Sequence, residues 1–229
     1  MTLRRGESLL LAVGIPVVLL VFFSSIAVLP VPAGTRHRVD YLAPGVLALA
    51  IMSTGMVSLG IATAFERSYG VLKRLGTTPL TRTDLLAAKT IGVLVVEAVQ
   101  LALLVPVSIA LGWRPSHGVL PGLAAMVLAT IAFSGLGLAM AGALRAEAVL
   151  AIANGLYLVL LLLGGMVIPL SQLPRPIELF AKVLPASALA DALHAALGTG
   201  AAVPDRAWVV LVAWAIATPL VAARTFRWD

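Results

Sequence analysis

Six apolar stretches, each about as long as a membrane-spanning helix, constrain what this chain can fold into more than any other feature of its sequence. A helix needs ~20 mainly apolar residues to cross a hydrocarbon core of ~30 Å. The stretches cover residues 8–29, 42–64, 90–111, 119–144, 148–168 and 207–223. Charged residues make up 11% of the chain, compared with ~25% in soluble domains. We therefore predict an all-α integral membrane protein, in which residues 1–229 form one domain with six transmembrane helices.

Residues 169–205, between the last two apolar stretches, form the longest segment that we do not expect to cross the membrane. The segment contains five prolines and two short helical patterns, at 177–183 and 186–197. Neither pattern reaches spanning length, and irregular backbone at membrane depth is tolerated only where protein or water surrounds it. We predict short interfacial or re-entrant helices here, on the outer side of the membrane.

The polar segment at 65–89 carries a helical pattern of its own. At ~100° per residue, its apolar side chains fall on one arc of a helix and its charged side chains fall on the opposite arc. The apolar arc holds Phe65, Tyr69, Val71, Leu72 and Leu75, and the charged arc holds Glu66, Arg67, Lys73 and Arg74. The pattern indicates a short amphipathic helix, which is either a basic loop on lipid headgroups or a docking surface for a partner protein.

The residues after this pattern predict where the helix ends and the next one begins. Pro79 ends it, because proline has no N–H to donate and disfavours helical dihedral angles at the preceding Thr78. Thr81 and Asp84 have the spacing of a capping box, in which each side chain accepts a hydrogen bond from the other residue's backbone N–H. A fresh helix is therefore predicted to start at this box.

The distribution of lysine and arginine predicts the orientation. If the N-terminus, the 65–89 segment, the turn at 145–147 and the C-terminus share one side, that side holds 10 of the 16 basic residues and the other side holds 6. Basic loops are retained in the cytoplasm. We therefore predict that both termini and the 65–89 segment are cytoplasmic.

The sequence lacks a phosphate-binding loop and thiol chemistry. Such a loop requires glycine before its lysine, but Ala88 precedes Lys89, which is the one lysine followed by Ser or Thr. There is no cysteine. We predict that this chain has no nucleotide site of its own, binds no cofactor and is not an enzyme.

The remaining candidates for metal binding or catalysis are weak. His37, His117 and His194 are far apart in the sequence and lie in predicted loops, so we predict no metal site. Ser134 has no histidine within a span to act as its base. Close helix packing is the role that we predict for Ser134 and Gly135, and we predict no catalytic residue.

Three polar side chains within the apolar stretches are candidates for a gate or a substrate path. Glu97 is the clearest ionisable residue inside a span, and such residues are rare and often functional. Gln100 lies one turn further along the same stretch, and Asn154 lies in the fifth. The alternative for Glu97 is pairing with a neighbouring helix near the cytoplasmic boundary. For Gln100 and Asn154 we favour interhelical hydrogen bonds over substrate contacts.

The central segment resembles a known family. Its residues read Glu66-Arg67-x-x-Gly70-x-Leu72-Lys73-Arg74-Leu75-x-x-Thr78-Pro79-Leu80-x-Arg82-x-x-Leu85. This pattern is similar to the E-R-x-x-G-x-L-x-R-L-x-x-[ST]-P-L segment of type-2 ABC exporter permeases, in the branch of daunorubicin-type antibiotic-resistance exporters. The ending Arg224-x-Phe226-Arg227-Trp228 is also similar to that of many members. At the other end the sequence departs from the family, because about seven residues precede the first span where members usually carry a longer amphipathic helix.

The resemblance implies that residues 65–76 are a coupling helix, set into a cleft on a separate ATPase subunit. The coupling residues that it implies are Glu66, Arg67, Gly70, Leu72, Lys73, Arg74, Leu75, Pro79 and Leu80. It also implies two copies of the ATPase, which bind ATP and Mg²⁺, and a second permease chain in a homodimer or heterodimer. The partners would be these proteins and the lipid bilayer of the plasma membrane, without nucleic acid.

The leading hypothesis is thus a permease subunit that exports a hydrophobic or amphipathic substrate, such as a drug, antibiotic or lipid-like molecule. Arg67, Lys73 and Arg74 would pair with acidic residues of the ATPase, while Leu72 and Leu75 would fill a pocket on it. Glu66→Lys, or Leu72→Asp with Leu75→Asp, would then abolish transport without preventing membrane insertion. The alternative is a proton-coupled secondary transporter that uses Glu97. An intramembrane enzyme is disfavoured, because the base and metal ligands are missing.

Overall fold

The computed structural model describes residues 6–25, 37–116, 118–166 and 169–226, and these residues contain helices, turns and loops but no β-strand. We number the helices in chain order. They are α1 (Gly6–Ser25), α2 (Arg38–Ser68), α3 (Val71–Leu75), α4 (Arg82–Ala110), α5 (Val119–Ala143), α6 (Ala146–Leu163), α7 (Arg175–Ala181), α8 (Pro185–Thr199) and α9 (Asp205–Thr225). The predicted all-α class is confirmed.

Five helices of the described chain are long and apolar enough to cross a membrane, namely α2, α4, α5, α6 and α9. A sixth candidate arises if α7 and α8 are taken together as one span, although they are bent by 86° at the break between them. These two short helices occupy the segment in which re-entrant helices were predicted. The predicted first span, 8–29, coincides in part with α1, and its last four residues lie outside the described residues.

The predicted coupling helix at 65–76 is not one helix, and this expectation was wrong. Residues up to Ser68 complete α2, and Val71 begins α3. Between the two helices Gly70 has φ 72°, which is the left-handed conformation that glycine adopts without a Cβ penalty. The Gly70 N–H donates to the Arg67 carbonyl at 2.9 Å and thereby closes the end of α2.

The predicted capping box is confirmed at the start of α4. The Asp84 N–H donates to Thr81 Oγ1 at 3.2 Å, and the Thr81 N–H donates to Asp84 Oδ2 at 3.0 Å. These bonds satisfy two donors at the open end of the helix. As a result α4 begins at Arg82, eight residues before the predicted span at 90–111.

The core is built around α2, which packs among α5, α6 and α8. Its middle contains a π-helical turn, Ser53–Ser58, where α5 approaches so closely that a Cβ on Gly137 would lie 2.6 Å from the Met56 carbonyl oxygen. Ser134 is fully buried, and a Cβ on Gly135 would lie 2.3 Å from Thr218 Oγ1 on α9. The close packing predicted for Ser134 and Gly135 is therefore confirmed, as expected for small residues at helix contacts in membranes.

Candidate functional site

An exposed surface lies on the connection between α2 and α4. Its apolar members are Tyr69, Val71 and Leu80, with exposed fractions of 76%, 45% and 40%. Two basic side chains, Lys73 and Arg74, are exposed on the same connection. We call these five residues the α3 surface. The combination of exposed apolar side chains with positive charge suits contact either with a partner protein or with lipid headgroups.

The basic side chains of the α3 surface are available to a partner. Among the described residues, neither Lys73 nor Arg74 forms an ion pair. The turn that follows is closed by its own threonines, because Thr77 Oγ1 donates to the Arg74 carbonyl at 2.7 Å and Thr78 Oγ1 donates to the Leu75 carbonyl at 2.6 Å. Pro79 is exposed after this turn. The conformation of the surface is thus maintained by local hydrogen bonds and leaves both charges free of described carboxylates.

The opposite side of α3 is part of the protein interior. Leu72 is fully buried, and Leu75 is half-buried beside it. The buried cluster around Leu72 also contains Leu85, Leu86, Leu138, Ala222 and Phe226. The expectation that Leu72 enters a pocket on another protein was therefore wrong. The helical pattern showed that these side chains share a face, but their own chain covers that face.

Glu66 connects the end of α2 to α4. Its Oε2 lies 2.6 Å from Lys89 Nζ, and the Lys89 side chain is 15% exposed while that of Glu66 is 40% exposed. An ion pair of this kind contributes ~0.5–1 kcal/mol at a partly exposed position. Glu66 is therefore a structural link within the chain, and sequence reasoning missed Lys89 as its partner.

Arg67 connects the end of α2 to the end of α5. Its Nη1 donates to the Gly142 carbonyl at 2.7 Å, and its Nη2 donates to the Leu144 carbonyl at 2.5 Å. The last carbonyls of a helix have no partner within the helix, and a guanidinium both binds them and complements the negative end of the helix dipole. These two bonds use two of the five N–H donors of the guanidinium, so the pairing of Arg67 with acidic residues of a partner stays a prediction.

The segment that carries the α3 surface is thus attached to three long helices. Glu66 binds α4, Arg67 binds the end of α5, and Leu72 lies in a cluster to which α4, α5 and α9 contribute. Gly70 fixes the angle between α2 and α3. A force applied to the exposed side chains would therefore be transmitted to the helices that cross the interior.

Two polar contacts connect α4 to α2 and to α5 in the middle of the apolar region. Gln100 of α4 is buried, and its Nε2 donates to Thr54 Oγ1 in the π turn of α2 at 3.1 Å. Thr130 of α5 donates through Oγ1 to Glu97 Oε2 at 2.5 Å. The interhelical bond predicted for Gln100 is confirmed. Thr54 and Thr130 were missed, although small polar residues inside apolar stretches are the relevant signal.

Glu97 is 5% exposed and has incomplete hydrogen bonding. Its Oε1 is buried without a hydrogen-bond partner among the described residues. Glu97 lies 15 residues into α4, a rise of ~22 Å from Arg82, and its distance from the cytoplasmic boundary stays a prediction. It does contact a neighbouring helix, through Thr130.

Asn154 is not part of this arrangement. It is exposed on α6, and its Nδ2 donates to the Leu150 carbonyl of its own helix at 2.7 Å. The interhelical bond expected for Asn154 is therefore absent from the described chain. His37 and His194 are likewise not in a metal cluster, since no three His, Asp or Glu side chains within the described ranges converge on one point. His117 lies outside the described residues.

The chain is similar to a known protein family. The model of the family described as ABC-2 type transporter matches residues 1–197. The match includes the α3 surface, Glu97, Gln100 and the helices α1 to α7, and it stops within α8. No curated protein matches the sequence.

Proposed function

Because the chain belongs to the ABC-2 type transporter family and is a membrane permease subunit of an ABC transporter, we propose that it exports a hydrophobic or amphipathic substrate. Drugs, antibiotics and lipid-like molecules are the substrate class. The energy comes from ATP hydrolysis on the partner ATPase subunit. The family-specific segment of the sequence supports placement in the daunorubicin-type branch.

The observation that carries this proposal is the two-sided construction of α3. Lys73 and Arg74 are exposed and form no ion pair with described residues, whereas Leu72 on the same short helix is fully buried. A helix whose only role was to lie on lipid headgroups would not need attachments to three long helices. A helix that transmits movement needs both an outer contact surface and a rigid inner attachment.

The proposed mechanism follows from these attachments. ATP-driven closure of the partner subunits displaces the α3 surface, and Gly70, Pro79 and Leu80 set the angles at which α3 leaves α2 and rejoins α4. Leu72 and Leu75 then carry the displacement into the α4–α5 contact, and Glu66 and Arg67 carry it from the end of α2. The helices respond as rigid bodies. The Thr54–Gln100 and Glu97–Thr130 contacts lie along the interfaces that would shift.

The assembly that we propose has two permease chains and two ATPase subunits in the plasma membrane. ATP and Mg²⁺ bind the ATPase subunits, and the substrate moves outward between the permeases. The second permease is either another copy of this chain or a related one. The excess of basic residues on the side of the α3 surface supports a cytoplasmic position for this surface and for both termini.

Charge reversal on the α3 surface tests the proposal. Lys73→Glu with Arg74→Glu should release the ATPase subunit from the complex purified in mild detergent and abolish transport. Both side chains are exposed, so insertion and monodispersity should persist. The matched control is Arg114→Glu, a charge reversal at an exposed arginine on the connection between α4 and α5, which should retain the ATPase. Normal ATPase retention by the double variant would contradict the proposal.

A further inference from the structure

A cavity of about 460 Å³ lies beside the attachment of α3 and is lined by Arg82, Ala143, Arg224, Thr225 and Phe226. Three helix ends form it: the start of α4, the end of α5 and the end of α9. Phe226 is fully buried and provides an apolar floor, while Arg82 and Arg224 are exposed at its walls. The cavity is distinct from the α3 surface, to which none of these residues belongs.

The electrostatics of this cavity are unbalanced. Neither Arg82 nor Arg224 forms an ion pair with a described residue. Arg82 also occupies the first position of α4, where the helix dipole is positive and a basic side chain is disfavoured. The Asp84 carboxylate is occupied by Thr81 in the capping box. Two cations that face one space repel each other, and no carboxylate within the described residues compensates them, so the cavity is suited to a bound anion.

The position of the cavity indicates which anion it receives. On α9, the exposed apolar side chains Leu220 and Val221 come about one turn before Arg224, with exposed fractions of 52% and 50%. This change from exposed apolar to basic residues is what a helix shows where it leaves the hydrocarbon and enters the headgroup region. Guanidinium groups bind phosphate oxygens in a bidentate manner. We propose that the cavity binds the phosphate group of an anionic phospholipid, and that Arg82 and Arg224 are its ligands.

A lipid in this position would link the start of α4 to the end of α9. These are the two helix ends that the buried cluster around Leu72 also joins through Leu85 and Ala222. The headgroup would reduce the repulsion between the two guanidinium groups and thereby stabilise the ends of α4 and α9 that pack beside α3. Such a lipid belongs to the membrane around the transporter and is neither its cargo nor part of its ATPase.

Native mass spectrometry of the purified full chain in mild detergent tests this proposal. The probes are phosphatidylglycerol, phosphatidylcholine and inorganic phosphate. The wild-type chain should retain phosphatidylglycerol in preference to phosphatidylcholine. Arg82→Gln with Arg224→Gln should bind it roughly 30-fold more weakly, since each basic side chain contributes to the attraction for anionic lipid. Arg82→Lys with Arg224→Lys should fall between the two, because lysine keeps the charge but not the bidentate geometry.

Arg114→Gln is the matched control, and it should bind phosphatidylglycerol like the wild type. Equal retention by the wild-type chain and the double glutamine variant would overturn the proposal. Displacement of the lipid by excess inorganic phosphate would also overturn it and assign the cavity to a soluble anion. In a separate co-purification with the ATPase subunit, loss of that subunit from the double glutamine variant at unchanged lipid content would also overturn it, since the cavity would then receive an acidic side chain of the ATPase. The lipid measurement requires neither ATPase nor transport, so it is independent of the proposed function.

Discussion

Glu66 and Lys89 are 23 positions apart in the sequence, yet Lys89 Nζ lies 2.6 Å from Glu66 Oε2. The pair joins the last turn of α2 to the second turn of α4, on either side of α3. Arg67, the next residue along the chain, points elsewhere and binds the end of α5. Glu66 and Arg67 thus attach the end of α2, which precedes the α3 surface, to α4 and to the end of α5.

A charge swap tests the Glu66–Lys89 pair. Glu66→Lys alone should reduce stability and coupling, because two ammonium groups would face each other, while Glu66→Lys with Lys89→Glu should restore most of both. The coupling energy expected from a double-mutant cycle is ~0.5–1 kcal/mol. Thermal unfolding in detergent and substrate-stimulated ATPase activity are the measurements. A double variant no better than Glu66→Lys alone would mean that Glu66 acts on the partner protein.

Arg67→Ala should destabilise the chain by about 2 kcal/mol, since hydrogen bonds to a charged donor each contribute ~1.5–3 kcal/mol and water replaces part of that at a helix end. Arg67→Lys should recover about half of the lost stability, because an ammonium group cannot bind both carbonyls with the geometry of the guanidinium. The control is Arg145→Ala, which removes an exposed arginine close to the same helix end and should be neutral. Denaturation in detergent measures all three. An effect of Arg67→Ala on ATPase binding without any loss of stability would contradict the capping role.

Leu72→Asp with Leu75→Asp does not provide a test of docking to the ATPase. Because Leu72 is fully buried, a carboxylate there would disrupt the core, and loss of transport would no longer distinguish docking from folding. The exposed residues of the α3 surface are the appropriate positions for separating the two effects.

Gly70→Ala should uncouple transport from ATP hydrolysis with little effect on the spans. Gly70 has φ 72°, and no atom lies within 4 Å of a Cβ built there, so the cost is confined to the backbone and amounts to ~1 kcal/mol. The control is Gly76→Ala, at φ −65°, where alanine adopts the native conformation without strain. Transport per ATP hydrolysed is the measurement. Equal coupling in the two variants would show that the left-handed turn is not required.

Thr130→Val should destabilise the chain by ~1–3 kcal/mol, because it removes the described hydrogen-bond partner of the buried Glu97. Glu97→Leu with Thr130→Val should cost less than Thr130→Val alone, since no buried polar group is left unpaired. Unfolding in detergent distinguishes these cases.

Transport by the Glu97→Gln variant distinguishes ATP hydrolysis from proton coupling as the energy source. An ATP-driven exporter should retain transport, because glutamine has nearly the shape of glutamate and its amide oxygen still accepts the bond from Thr130. Complete loss of transport in this variant, together with proton dependence in the wild type, would favour the secondary transporter.

The absence of cysteine from the chain makes single-cysteine labelling a direct test of orientation. Thr77→Cys, beside the α3 surface, should react with a membrane-impermeant maleimide only after the cells are permeabilised. Ala201→Cys, an exposed position between α8 and α9, should react in intact cells. The reverse pattern would place the α3 surface outside the cell and exclude contact with an ATPase.

The sequence by itself determined the all-helical membrane class, the start of α4 and the chemical character of the 65–89 segment. These features depend on local properties: apolar length, a side chain that caps its own helix, and a proline that cannot donate. They hold wherever the segment is placed, so one sequence was sufficient to predict them.

Only the tertiary structure decided which neighbours these segments meet. Helical periodicity placed Leu72 and Leu75 on one face but could not show that α4, α5 and α9 cover it. Arg67 binds carbonyls 75 and 77 positions away, and Asn154 faces away from the other helices. Such contacts depend on how helices pack across the whole chain, because burial free energy is non-directional and does not identify the partner surface.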